Sequence, residues 1–256
     1  MQHALVAALI SGALCAYLGV YVHLKRIIFI GIALSEVAAL GVAAGLYVGV
    51  WPEATASVLT VLVALLFWLP DPRGLLGREA VLGLVYCIAA AGAIILLAVN
   101  PMAEAHGVDL VSGNLLYTMG DDILLLSVLA VGTLALHLIL FPRFLFVSFD
   151  PETARTVGFE ERIVDFLFYL TLGLCIAVSM KTTGILFVFA SMVIPPMVGL
   201  ILCRRVWAVF VVAVFVALTA CFMGLWGSFH WDLPTGPTIV CLQGVVFGLA
   251  ILSRLG

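Results

Sequence analysis

Glu36 lies inside an apolar run, Ile27-Ile-Phe-Ile-Gly-Ile-Ala-Leu-Ser-Glu36-Val-Ala-Ala-Leu-Gly-Val-Ala-Ala-Gly45. A carboxylate about ten residues into a spanning helix sits near mid-membrane, because each residue rises ~1.5 Å and the apolar core is ~30 Å thick. Placing an acid there costs roughly 2.5–3.5 kcal/mol on insertion scales. Such a group faces a cavity, a pathway or a partner, and on a pathway its chemistry is cation binding. Ser35 is adjacent but about 100° round the helix, so the two need not line one path. A second set of groups able to meet a cation lies in the flanking segments: His106, Asp109, Asp121, Asp122, His230 and Asp232. An acidic mouth concentrates cations; the alternative is that acidic residues are simply tolerated there.

Covalent chemistry finds no footing. There is no Walker A sequence, GxSxG or HExxH, and no paired Cys/His ligand spacing. The six cysteines sit in or beside apolar runs without a CxxC pair and read as buried small hydrophobes. His137 is the one histidine well inside a span, and no sequence feature pairs it with Ser35 or Ser179. No nucleic-acid patch is present.

The elements that must position Glu36 are membrane helices. Of 256 residues 65% are hydrophobic and 10% charged, against about 45–50% and ~25% in soluble domains. The pattern predicts an all-α polytopic membrane protein, one transmembrane domain over residues 1–256. About nine transmembrane helices are expected, near 4–22, 28–50, 54–70, 80–99, 122–141, 163–180, 184–202, 206–228 and 237–253. The stretch 100–121 reads as a loop that dips toward the membrane. The first apolar run has no positive charge before it and Lys25-Arg26 after it, so it is expected to be a retained helix rather than a signal peptide. One set of loops holds Lys25, Arg26, Arg73, Arg78, Arg143, Arg155, Arg162, Arg204, Arg205 and Arg254, ten of the eleven basic residues; the other holds only Lys181. The positive-inside rule then puts the N-terminus outside and the C-terminus in the cytoplasm.

Three local features qualify this plan. The second span is rich in small residues, which permit close helix packing or leave room for a narrow path. The seventh carries Pro195-Pro196, which remove two backbone donors and imply either a broken, path-flanking helix or a passive kink. In the largest basic loop, Asp150 suits an N-cap, Pro151 a first helical position and Gly158 a C-terminal stop. A short helix is therefore expected near 150–158, too short to stand alone and needing something packed on it.

The chain resembles the membrane permease subunits of bacterial ABC importers for zinc, manganese and iron. The resemblance runs through Gly19-Val-Tyr-Val, the Lys25-Arg26 turn, Gly31-Ile-Ala-Leu-Ser-Glu36 and Gly113-Asn-Leu-Leu116. It continues through Ser148-Phe-Asp-Pro-Glu-Thr-Ala-Arg155, Gly184 to Ile194-Pro195, and Asp232-Leu-Pro-Thr-Gly236. The resemblance makes the short cytoplasmic helix an ATPase-coupling element, with Asp150, Pro151, Glu152, Ala154, Arg155, Val157 and Gly158 on it. The family's second helix typically reads Gly-Asp-Ala-Leu-Ser-His, and its Asp and His resemble metal ligands. Here those positions hold Ile32 and Glu36, four apart on one helical face. Carboxylate suits harder ions such as Mn²⁺; imidazole also serves zinc and iron.

The resemblance thus implies a subunit of an ABC importer in the bacterial inner membrane, with Glu36, Ser35 and Ile32 on the substrate pathway and Glu36 as its metal contact. The expected cargo is a divalent transition metal, zinc, manganese or iron. It would be delivered by an extracytoplasmic substrate-binding protein and moved by a permease homodimer in the lipid bilayer. ATP and magnesium would bind in cytoplasmic ABC ATPase subunits, so the chain itself is expected to hold no cofactor and to be no enzyme. Two alternatives remain at this stage: a family member carrying a non-metal substrate, and a secondary transporter in which Glu36 titrates with a coupling proton.

Overall fold

The computed structural model describes residues 2–69, 77–99, 118–156 and 158–255. Among them are eleven helices: α1 (Gln2–Leu24), α2 (Ile30–Val48), α3 (Pro52–Leu66), α4 (Arg78–Val99), α5 (Gly120–Ile139), α6 (Phe141–Phe149), α7 (Pro151–Thr156), α8 (Glu161–Thr183), α9 (Ile185–Leu202), α10 (Val206–Trp231) and α11 (Thr235–Leu255). Eight are long and apolar enough to cross a membrane. The expected third span is α3, with 15 residues; at ~1.5 Å each it is short of a ~30 Å core. The expected short span at 163–180 is instead the 23-residue α8. Arg73, His106, Asp109, Val157 and the supposed dipping loop over 100–117 lie outside the described residues.

Helices α1, α2, α8 and α9 form the centre, α1 being the most buried, whereas α4, α5 and α11 leave most of their apolar surface outward. Lipid supplies no hydrophobic drive between helices, so the centre is held by close approach of small side chains. Gly41 and Gly45 of α2 abut Ala56, Thr55 and Pro52 of α3, while Gly31 faces Met192 and Phe189 of α9. The small-residue stripe of α2 is therefore largely packing surface.

α9 runs unbroken through Pro195 and Pro196. Each proline leaves the carbonyl four residues back without its helical donor, here those of Ser191 and Met192. Gly19 of α1 lies directly against the second: a Cβ on Gly19 would stand 2.2 Å from the Met192 carbonyl oxygen. A single residue, Gly184, links α8 to α9 at φ 84, a conformation that favours glycine.

Two ends emerge from the contacts. At one, Lys25 Nζ meets Asp165 Oδ1 at 2.6 Å and Trp68 Nε1 donates to the Arg162 carbonyl at 2.8 Å. At the other, Lys181 Nζ bridges Asp122 Oδ1 at 2.8 Å and Glu53 Oε1 at 3.2 Å. Lys25 and Arg162 thus share one end, the basic end, and Lys181 stands at the opposite one, in keeping with the charge sorting.

Candidate functional site

Glu36 is the seventh residue of the 19-residue α2, roughly 9 Å from its start at ~1.5 Å per residue, so it lies close to the middle of the span, on the side of the basic end. It is half-buried, as is Ile32 one turn earlier. Among the described residues Glu36 has no hydrogen bond or ion pair. Ser35 differs: it is fully buried, and its hydroxyl donates to the Gly31 carbonyl of its own helix at 2.8 Å. Ile32 and Glu36 therefore share the partly open face of α2, whereas Ser35 points into the packed interior and its hydroxyl proton is spent locally.

Polar groups near the mid-helix region that sequence reasoning passed over lie on α9 and α11. Gln243 is fully buried and its Nε2 donates to Ser191 Oγ at 3.0 Å, one turn before Pro195. Its Oε1 has no hydrogen-bond partner among the described residues. The only sequence signal was a lone amide in an apolar span. His137 is buried too. Its Nε2 donates to Thr171 Oγ1 at 3.1 Å, because that hydroxyl's own proton goes to the Leu167 and Phe168 carbonyls. Its ring stacks on Phe144 at 4.1 Å. The structure pairs His137 with a threonine of α8 rather than with Ser35 or Ser179, and no nucleophile–base pair results.

At the end opposite the basic one, the expected cation contacts that lie among the described residues do not converge. Asp122 is taken up by Lys181 and by the Met119 N–H at 3.1 Å, and Asp121 is exposed. His230 donates from Nδ1 to the Trp226 carbonyl at 3.2 Å and lies 4.4 Å from that indole ring. Asp232 caps α10 in a left-handed conformation, φ 48. Asp121 and Asp122 are on α5, His230 and Asp232 at the end of α10, which packs against α1, α9 and α11. Among the described residues no group of three or more His, Cys, Asp or Glu side chains is placed to hold a metal ion.

The short helix forms as its caps demand. Asp150 Oδ1 accepts from the Thr153 N–H at 3.1 Å and Oδ2 from the Thr153 hydroxyl at 2.5 Å. Gly158, at φ 86, ends it, and the Phe159 N–H returns to the Ala154 carbonyl at 3.0 Å. What packs on this short helix is in part the chain itself. Ala154 is fully buried, because α6 and α8 close over it. It is an internal anchor and cannot itself touch a partner; among the residues whose burial is described, Thr153, Thr156 and Gly158 are exposed. α6, read beforehand as loop, is an amphipathic helix that buries Phe144, Val147 and Ser148. The recurrence of Phe144, Val147 and Ser148 at helical spacing was its signal.

Among the described residues, eight spanning-length helices, a carboxylate on one of them without a hydrogen-bond or ion-pair partner, and a short capped helix at the basic end define a class: the membrane-spanning component of a transporter. The sequence profile of the ABC 3 transport family matches residues 1–254, and the chain belongs to that family. It is a transport subunit rather than an enzyme and works with other ABC subunits, which removes the secondary-transporter alternative. Its relatives include the chelated iron transport system membrane protein YfeD of Yersinia pestis. That protein is 28% identical over 253 residues, with 98% of this chain and 84% of the relative covered. The manganese transport system membrane protein MntC of Halalkalibacterium halodurans is 24% identical, with 98% and 86% covered. The solved structure of PsaBC from Streptococcus pneumoniae in complex with Fab superimposes with a TM-score of 0.86 at 21% identity, covering 98% of this chain and 90% of that one. It shares the fold.

Proposed function

We propose that this chain is the translocating subunit of an importer for a divalent transition metal. The observation that carries this reading is Glu36, a half-buried carboxylate inside a spanning helix with no hydrogen-bond or ion-pair partner among the described residues. A group that costs a few kcal/mol to insert and pairs with nothing among the described residues is kept for something that passes or docks. The iron and manganese relatives support a metal, and a lone carboxylate without imidazole suits the harder ion of the two, Mn²⁺. Two copies of the chain would frame the path, with Ile32 and Glu36 on its wall. ATP and magnesium would act in cytoplasmic ATPases docked at α7. An extracytoplasmic binding protein would deliver the metal to the end that carries Lys181. The ten-to-one charge split favours a cytoplasmic basic end and an N-terminus outside.

The test is metal uptake by the chain co-expressed with its ATPase and binding protein. Glu36→Gln keeps shape and hydrogen-bonding capacity but removes the charge, so Mn²⁺ uptake should fall at least tenfold with protein level unchanged. Normal uptake by Glu36→Gln would take Glu36 off the pathway. Failure of every divalent metal, with ATP hydrolysis stimulated by another solute, would identify a non-metal cargo.

A further inference from the structure

We propose that the Lys25–Asp165 ion pair is the link that carries movement of the coupling helix to α2, and so to Glu36. The inference rests on the reading of α7 as the ATPase-docking helix and goes beyond it by naming the transmitting residues. α7 joins α8 through only residues 157–160, tied by the Phe159–Ala154 and Glu161–Phe159 backbone bonds at 3.0 and 2.9 Å. With Ala154 locked under α6 and α8, a displacement of α7 must move the start of α8. That start is fastened to two other elements. The Arg162 carbonyl holds Trp68 Nε1 just beyond α3, and Asp165 holds Lys25 at 2.6 Å.

Lys25 belongs to the turn between α1 and α2. Its Nζ also stands 5.2 Å over the Phe168 ring. The side chains of Lys25 and Asp165 are 8% and 20% exposed. An ammonium so enclosed cannot readily exchange its carboxylate for water, so the pair moves as a unit. The turn itself is stiff. Arg26 is held at φ 56, and its neighbours bond back onto α1, the Lys25 N–H to Tyr21 and the Ile27 N–H to Val22. α2 starts four residues after Arg26, at Ile30, and Glu36 follows within two turns. The route from ATPase to carboxylate is thus α7, the first two turns of α8, the ion pair, the α1–α2 turn and α2.

The test uses the assembled transporter. Spin labels at Tyr47 on α2 and Phe222 on α10, both exposed, report the ATP-dependent change in their separation. Lys25→Met should leave ATPase binding and hydrolysis in place while abolishing the distance change and reducing the metal moved per ATP at least fivefold. Lys25→Arg should keep both, and Lys25→Asp with Asp165→Lys should recover them relative to either single reversal. A wild-type distance change in Lys25→Met overturns the proposal. So does a parallel loss of stability, hydrolysis and transport at constant metal per ATP, without recovery in the swapped pair, because that is what a merely structural pair would give. The distance readout does not depend on the cargo, so a wrong substrate leaves it standing; wild-type transport without any docking at α7 would refute the functional reading instead.

Discussion

Gly19→Ala tests the central packing most severely. The added Cβ would stand 2.2 Å from the Met192 carbonyl oxygen, 2.8 Å from its carbon and 2.9 Å from its Cα. All three are backbone atoms of a helix whose residues 195 and 196 are prolines, so no side chain can rotate away. Restoring a carbon–oxygen contact requires α1 and α9 to part by roughly 1 Å, which forfeits a quarter to a half of the dispersion energy along that seam. Overpacking of this kind costs about 3 kcal/mol or more, the upper part of its usual range. Gly132→Ala is the control: it lies exposed on α5 with nothing within 4 Å of its Cβ. It should instead gain about 0.5–1 kcal/mol from helix propensity. Thermal unfolding of both variants in one detergent, followed by tryptophan fluorescence, should give a large fall for the first and a level or slightly raised midpoint for the second. Equal midpoints would refute the claim that α1 reads the proline-freed carbonyl of α9.

Four further outcomes follow from named residues. Ile32→Asp combined with Glu36→His places an acid and an imidazole four residues apart on the open face of α2; uptake should return above the level of Glu36→His alone, with zinc favoured over manganese in competition assays. Ala154→Asp should lower the yield and unfolding temperature of the isolated chain by burying an unpaired charge, a loss of about 3 kcal/mol or more. Thr156→Trp, on the exposed side of the same helix, should leave the fold intact and weaken ATPase binding in pull-downs; equal binding by wild type and Thr156→Trp would place the docking surface elsewhere. Cysteines placed at Arg78 or Arg204, on a background lacking the native thiols, should escape an impermeant reagent added outside intact cells, and labelling at either would invert the proposed sidedness.

The sequence by itself determined the class of this protein, because a bilayer leaves so few options. Apolar runs near twenty residues can only be helices, and the distribution of Lys and Arg sorts their ends. Asp150, Pro151 and Gly158 carried α7 unaided, since caps act on backbone groups within a few residues. Glu36 announced itself by the cost of its own charge. What tertiary structure decided is which face each residue presents and what lies against it. Ser35 and Glu36 are neighbours in the chain, yet only packing shows one sealed inside and the other half-open. Ala154 looked available to a partner until α6 and α8 covered it, and α6 itself was hidden in a loop whose amphipathic face has meaning only once Phe144 meets His137 of α5. Lys25 was a charge on a topology map until Asp165, 140 residues away, gave it a mechanical role. Local chemistry is written in nearest neighbours along the chain, whereas burial, pairing and transmission depend on contacts between distant segments that no short window of residues contains.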